Sequence, residues 1–190
     1  MQMMSLKSRV RPAKYKSYKG EVGRIAKNVL QRRFKADFPN QKWATDVTEF
    51  NVGGEKLYLS SIIDLFNGEI IAYQTNRRPQ YDLVKEMLEK AFSRLTSKDK
   101  LLLHSDQGCQ YTSHKFRNEL LEHGLRQSMS RKGNCWDNAV MERFFLSLKM
   151  ERVWRRDYAN HAEAIRDITE YIVGFYNNER LHSKLGYLPP

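Results

Sequence analysis

The sequence predicts an α/β fold, a five-stranded mixed sheet flanked by helices and preceded by an extended basic N-terminal arm. Three observations predict it. Apolar residues alternate with period two over three consecutive runs between residues 41 and 75, separated by short turns containing Gly and Asn. Beyond residue 80 the apolar spacing becomes helical, interrupted by short strand-like runs at 101–103 and 125–130. The charge is lopsided as well, because residues 1–37 carry eleven Lys and Arg against Glu21 and Asp37, a net +9 of the chain's +11.

The arm comes first. Residues 1–37 also contain Pro12, Gly20, Gly23 and the aromatic pair Tyr15 and Tyr18, with little apolar periodicity before Val22, so they read as a flexible basic arm or linker, and 38–190 as the folded core. Such an arm can follow a phosphate backbone and gain affinity from released counterions; the alternative is a solvated leader with no specific partner.

From about Gln41 alternation signals a strand, with Trp43, Thr45, Val47 and Glu49 on one face and Ala44, Asp46, Thr48 and Phe50 on the other. Asn51–Glu55, with Gly53 and Gly54, is a turn; Tyr58–Leu65 is a second strand, Phe66–Gly68 a second turn, and Glu69–Thr75 a third strand. The three form an antiparallel meander. Leu83, Val84, Met87, Leu88, Ala91, Phe92 and Leu95 then recur at helical spacing, which predicts a helix over about 81–95. Leu101–Leu103 is a short buried strand with Asp106 just past its end. A helix over about 113–122 follows, with Ser113 as N-cap and Gly124 as its stop, and then a fifth strand over 125–130. Residues 131–137 are a loop before a helix that runs to about Val153 and carries Glu142 early. The last helix, about 161–176, opens on Asn160 three residues before Glu163, a capping-box-like pair.

Composition excludes several classes. The 190 residues, with 41% hydrophobic and 29% charged side chains, are those of an ordinary globular domain, not a disordered chain or coiled coil. No run approaches the roughly 20 apolar residues of a membrane span and the start has no signal-peptide centre, so a cytoplasmic, nucleoid-associated protein without a membrane is expected. Cys109 and Cys135 are too few for a disulfide framework, and the spacing of His104, Cys109, His114 and Cys135 matches no common zinc site.

Three acids stand at distinct places: Asp46 within the first strand, Asp106 after the fourth, and Glu142 early in a later helix. Each lies among apolar or small residues, where a charge is costly unless a metal or partner compensates it. In an α/β sheet the first strand and its parallel neighbour lie side by side with a helix over them, so the three carboxylates are expected to converge. Hard divalent cations preferring oxygen are the natural remedy for their repulsion. Asp64 is a rival first acid, but its place beside a hairpin turn favours a structural role.

The segments TrpAlaThrAspValThr at 43–48, HisSerAspGlnGlyCysGlnTyr at 104–111, AspAsnAlaValMetGluArgPhePhe at 137–145 and TyrAsnAsnGluArgLeuHisSerLysLeuGlyTyrLeuPro at 176–189 together closely resemble the integrase-type DDE transposases of bacterial insertion sequences, of the insertion sequence 3 family. Between Asp106 and Glu142 lie 35 residues, as in the D,D(35)E core shared with retroviral integrases. The resemblance implies an RNase H-like fold, with Asp46, Asp106 and Glu142 as a catalytic, metal-binding triad for two Mg²⁺ ions, Mn²⁺ substituting. It also implies phosphodiester hydrolysis followed by 3′-OH strand transfer in DNA transposition, on element ends and target DNA. The alternatives are an RNase H-like nuclease that does not join, or a truncated, non-catalytic nucleic-acid-binding remnant. The implied partners besides DNA are further copies of the chain assembled on DNA, and either a helix-turn-helix region, which such proteins usually carry before the arm, or a separate DNA-recognition protein.

Several residues are candidate DNA contacts. Lys149, seven positions after Glu142, shares its helical face. Arg143 and the loop residue Lys132 lie nearby in sequence, and Arg180 and His182 belong to the family-like tail, where the alternative is packing of the last helix. Asp137 and Asn138 are expected to cap the helix of Glu142, and His104 to be a satisfied core histidine with orientation of Asp106 or DNA as the alternative.

Overall fold

The computed structural model describes residues 25–96 and 98–190. Most of the expected arm, residues 1–24, lies outside the described residues. Five strands, β1 (Lys42–Val52), β2 (Glu55–Asp64), β3 (Ile70–Asn76), β4 (Leu102–Ser105) and β5 (Arg126–Met129), form one sheet in the order β3-β2-β1-β4-β5. The first three run antiparallel, whereas β4 is parallel to both β1 and β5, so the sheet is mixed as the sequence predicts. The β1–β2 hairpin closes on Gly53 and Gly54, whose φ of +59° and +88° suit a two-residue loop matched to the strand twist. Asp64 is the structural residue its position suggests, accepting the N–H groups of Phe66 at 2.9 Å and Asn40 at 2.8 Å.

Helices cover both faces. α1 (Tyr81–Phe92) and α3 (His114–Glu122) pack on the face of Trp43, Ile62 and Leu103, burying Leu83, Val84, Met87, Leu88, Phe116 and Leu120. The opposite face, with Ala44, Phe50, Leu57, Leu59 and Ile63, receives α4 (Ala139–Glu151) through Met141, Phe144, Phe145 and Leu148, and α5 (His161–Thr169) through Ala164 and Ile168. The β1 alternation is therefore the one read from sequence. Ser113 caps α3 by accepting the Phe116 N–H, and Asn160 caps α5 by accepting that of Glu163.

Three differences have local causes. A single turn, α2 (Cys109–Thr112), precedes α3, too short to leave a periodic signal. The last helix keeps α geometry only to Thr169 and continues to Tyr176 as a π-helix containing Gly174. The folded body also begins earlier than residue 38. Leu30 is 1% exposed within the α4-side core, and the N–H groups of Val29 and Leu30 donate to Ser128 Oγ at 2.9 and 3.1 Å. Residues 26–30 are thus docked along β5, and the stretch up to 37 is tied on through Arg32 and the buried Ala36; average composition hides the buried Leu30 and Ala36 among basic neighbours.

Candidate active site

The parallel pairing of β1 and β4 sets Ala44 against His104. Asp46 and Asp106 each lie two residues further on, so they leave the strands at the same level and toward the same face, the one α4 covers. Both are partly exposed at the cleft. Asp46 Oδ1 accepts the Val47 N–H at 2.7 Å, and Asp106 Oδ1 accepts the Gly108 N–H at 2.8 Å. A Cβ on Gly108 would stand 3.0 Å from Asp106 Oδ1, so the absence of a side chain there lets the loop fold over the carboxylate. Beneath the pair, the buried Tyr111 hydroxyl lies 3.3 Å from Thr45 Oγ1. Burial and then the two aspartates push Tyr111 well above the ordinary phenol range, which keeps its proton in place.

Glu142 occupies the first turn of α4 and is exposed at the mouth of the cleft. The electrostatics tie it to the strand acids. Burial, followed by the neighbouring Asp106 charge, lifts the Asp46 carboxyl well above the usual carboxylate range; the Val47 N–H opposes this, Glu142 adds to it and Lys149 opposes it. Asp106 and Glu142 are also raised, by burial. Among the described residues no three acid, histidine or cysteine side chains are drawn close enough to hold an ion as they stand, with Glu142 turned outward. The chemistry nevertheless fits a hard divalent cation, since the acids facing the cleft offer carboxylate oxygens, and the single nearby Lys149 charge leaves the Asp46 carboxyl still raised well above its usual range.

Residues 130–138 form the rim. Gln107, next to Asp106, donates its amide to the Ser130 carbonyl at 2.9 Å, and Asn138 donates to the carbonyl of Thr45, next to Asp46, at 3.2 Å. The rim is therefore moored at both ends to neighbours of the two strand acids. Asp137 and Asn138 do not cap α4 through their side chains. Asp137 instead turns inward, fully buried, and accepts from Arg131 N, Nε and Nη2, Arg32 Nε and Asn28 Nδ2 at 2.7–3.0 Å. The Arg131 guanidinium beside it holds its carboxyl far below the usual range. Arg131 and Arg32 outcompete the helix N–H groups because two charged donors, Arg131 in bidentate fashion and Arg32 through Nε, reach the same carboxylate. His104 is a satisfied core histidine: its ring nitrogens lie 2.8 Å from Ser128 Oγ and 3.1 Å from Ser130 Oγ, and burial pushes its pKa down to about 4.

The candidate DNA contacts separate into two groups. Lys149 lies half-buried in the cleft, its ammonium 5.5 Å from the centre of the Phe50 ring, and Arg143 and Lys132 are exposed nearby in the chain. Arg180 and His182 belong to a different cluster. Arg180 forms an ion pair with Glu151 at 2.8 Å and lies over the Tyr176 ring, against which His182 packs edge-on. Glu151 is nine positions beyond Glu142, roughly 13 Å along α4 at about 1.5 Å per residue. The tail residues thus pack against one another and against the end of α4, away from the three acids in the chain. Sequence reasoning missed Arg32, Arg131 and Tyr111; the partners of the first two meet them from about 100 residues away or across a loop, which no local pattern signals.

Among the described residues no helix is long and apolar enough to cross a membrane. Comparisons with known proteins bear on this geometry. The integrase core domain family matches residues 36–135, and a second integrase core domain family matches 123–190. The InsK protein for insertion sequence element IS150 of Escherichia coli is 52% identical over all 190 residues, which span 67% of its length. The transposase for insertion sequence element IS904 of Lactococcus lactis is 36% identical, with all of this chain and 76% of that protein aligned. In three dimensions the HTLV-2 integrase catalytic core domain, solved in complex with magnesium in its trimeric form, superposes with a TM-score of 0.60 over 80% of this chain and 95% of that one, at 17% identity. That likeness identifies the fold as RNase H-like. With the family matched along nearly the whole described chain, and insertion-sequence transposases among its relatives, the chain belongs to the integrase core domain family as a catalytic core of the bacterial insertion-sequence transposase kind.

Proposed function

We propose that Asp46, Asp106 and Glu142 are the catalytic, metal-binding acids of a DNA-cutting and DNA-joining site, acting with Mg²⁺ or Mn²⁺. The observation that carries this reading is the β1–β4 register, which sets Asp46 and Asp106 at one level on the face that α4 covers with Glu142. Two divalent ions there would activate an attacking oxygen, first of water and then of a DNA 3′-OH, and stabilise the leaving oxygen. The chain's own residues supply the rest. Asp46 and Asp106, fixed by the Val47 and Gly108 N–H groups, hold one wall rigid, while the outward Glu142 is free to close from α4. Lys149 lies beside Asp46 and, with Arg143 and Lys132, faces the phosphates of the bound strand. Further copies of the chain and a DNA-recognition region or protein complete the assembly on element ends.

Incubating labelled DNA bearing a pre-cut 3′ end with the protein and Mg²⁺ or Mn²⁺ tests the reading. Strand-transfer products are expected, and Asp46→Asn, Asp106→Asn and Glu142→Gln should each abolish cutting and joining while retaining DNA binding. Joining that survives in all three variants refutes the assignment; cutting without joining identifies a nuclease on the same fold.

A further inference from the structure

The rim carries one side chain that neither the acids nor the fold requires. Trp136 sits in a short 3₁₀ turn, Cys135–Asn138, immediately before α4. It is 69% exposed, the highest value of any large hydrophobic side chain among the described residues. Its backbone, by contrast, is pinned. Asp137 next to it is locked by Arg131, Arg32 and Asn28, Asn134 accepts from Arg32 Nη2 at 2.8 Å, and Asn138 is tied to the strand of Asp46. A bulky apolar ring held out in water on a braced turn loses little conformational freedom on meeting a ligand.

We propose that Trp136 is a nucleobase-stacking platform at the rim of the cleft, receiving an unpaired base beside the phosphate that is cut or joined. The proposal rests on the reading of the site as DNA-processing. An indole face stacks on any base without demanding its hydrogen-bond pattern. The loop itself suits nucleic acid better than protein: Arg131, Lys132 and Gly133 are exposed on it, and between residues 130 and 138 Trp136 is the one large apolar side chain exposed. Mooring the turn to the neighbours of Asp46 and Asp106 fixes the height of the ring relative to both acids, so a base stacked on it would register its own backbone against the cleft.

The test compares binding of a short oligothymidine and of an abasic strand of equal length to the full chain in Mg²⁺. The unsubstituted protein should favour the strand with bases. Trp136→Ala should lose roughly 5- to 150-fold on oligothymidine, the worth of one stacked base, and nothing on the abasic strand, while Trp136→Phe keeps most of the preference. In a Trp154→Phe background the remaining exposed indole is Trp136, because Trp43 is buried, and its fluorescence should be quenched by oligothymidine alone. An equal loss on both strands would overturn the proposal in favour of a structural or electrostatic role, and no loss on either would reassign the ring to a protein partner. If the unsubstituted chain binds neither strand, the DNA reading itself fails and the platform with it.

Discussion

Replacing Asp137 by Ala removes one carboxylate that joins three separate stretches of chain: the segment around Asn28 and Arg32, the start of the rim at Arg131, and the turn into α4. Truncating one member of a buried ion pair typically costs about 3–5 kcal/mol because the other charge is stranded. Here the stranded groups are Arg131 and Arg32, whose side chains are 60% and 44% exposed, so water takes back their charge. What remains lost is the set of charge-assisted hydrogen bonds to the Arg131 N–H and the Asn28 amide, about 2–3 kcal/mol in total. For a chain of this length that corresponds to a melting point lower by roughly 5–10 °C. The effect is also pH-dependent. Because the folded-state carboxyl is held below its unfolded value, its contribution is present above about pH 4 and fades as the pH falls through the acid range, so the parent and the variant should converge there. Urea titrations at neutral and acid pH give the magnitude, and hydrogen exchange gives the location: the Val29 and Leu30 amides, which donate to Ser128 Oγ, should exchange faster in the variant. A loss below about 0.5 kcal/mol, the range of ordinary surface substitutions, with unchanged exchange at Val29 and Leu30, would refute the claim that Asp137 joins these segments.

Other perturbations test the site and the core separately. Gly108→Ala should reduce Mn²⁺ affinity and cutting by tenfold or more in order of magnitude, with little change in melting point, because its Cβ would stand 3.0 Å from Asp106 Oδ1 at a φ any residue tolerates; unaltered metal binding in a titration would contradict this. Asp46→Asn should raise the melting point of the metal-free protein at neutral pH and abolish the further rise that Mg²⁺ gives the parent, since the Asp46 charge is opposed by burial and by Asp106. His104 is held neutral with its pKa pushed down to about 4, so stability is full above about pH 6.5 and falls by up to about 3 kcal/mol as the pH drops through 4; His104→Asn should flatten that slope in urea titrations across the interval.

What was legible in the chain follows the range of the interactions involved. Period-two alternation depends on nearest neighbours along a strand, so the face of Asp46 was readable from Ala44, Thr48 and Phe50 alone. The level of Asp106 was not, because it depends on the pairing of Ala44 with His104, 60 residues apart; there the family-like segments and the 35-residue spacing carried the reading. Asp137 failed as a cap for the same reason. A short polar side chain before a helix is ordinarily a cap, and only the distant Arg32 and Asn28 make an inward turn the better-satisfied state. Arg180 was readable as a basic tail residue, but Glu151, which holds it, lies 29 residues earlier at the end of α4, and no local pattern in the tail hints at that pairing.

The docked segment 25–37 changes how the chain's charge should be dissected. Formal counting puts +9 before residue 38, but Arg32 within it is already engaged by Asp137, and Leu30 is part of the core. Residues 1–24 carry seven Lys and Arg against Glu21, and the stretch after them adds the exposed Lys27, Arg33 and Lys35. Removing 1–24 should therefore flatten the log-log salt dependence of DNA binding by about 0.9 for each phosphate that is no longer neutralised, and leave the melting point nearly unchanged. Removing 1–37 should flatten it further, since Lys27, Arg33 and Lys35 are exposed, and also unfold the protein at a lower temperature, since it uncovers the space of Leu30, worth about 1.5–3 kcal/mol, and strips Asp137 of Arg32 and Asn28. Binding isotherms across a salt series and melting curves for the two truncations separate the contributions. If the shorter truncation leaves the slope intact, the arm is a passive leader, and the phosphate-binding charges are Lys149, Arg143 and Lys132 around the cleft.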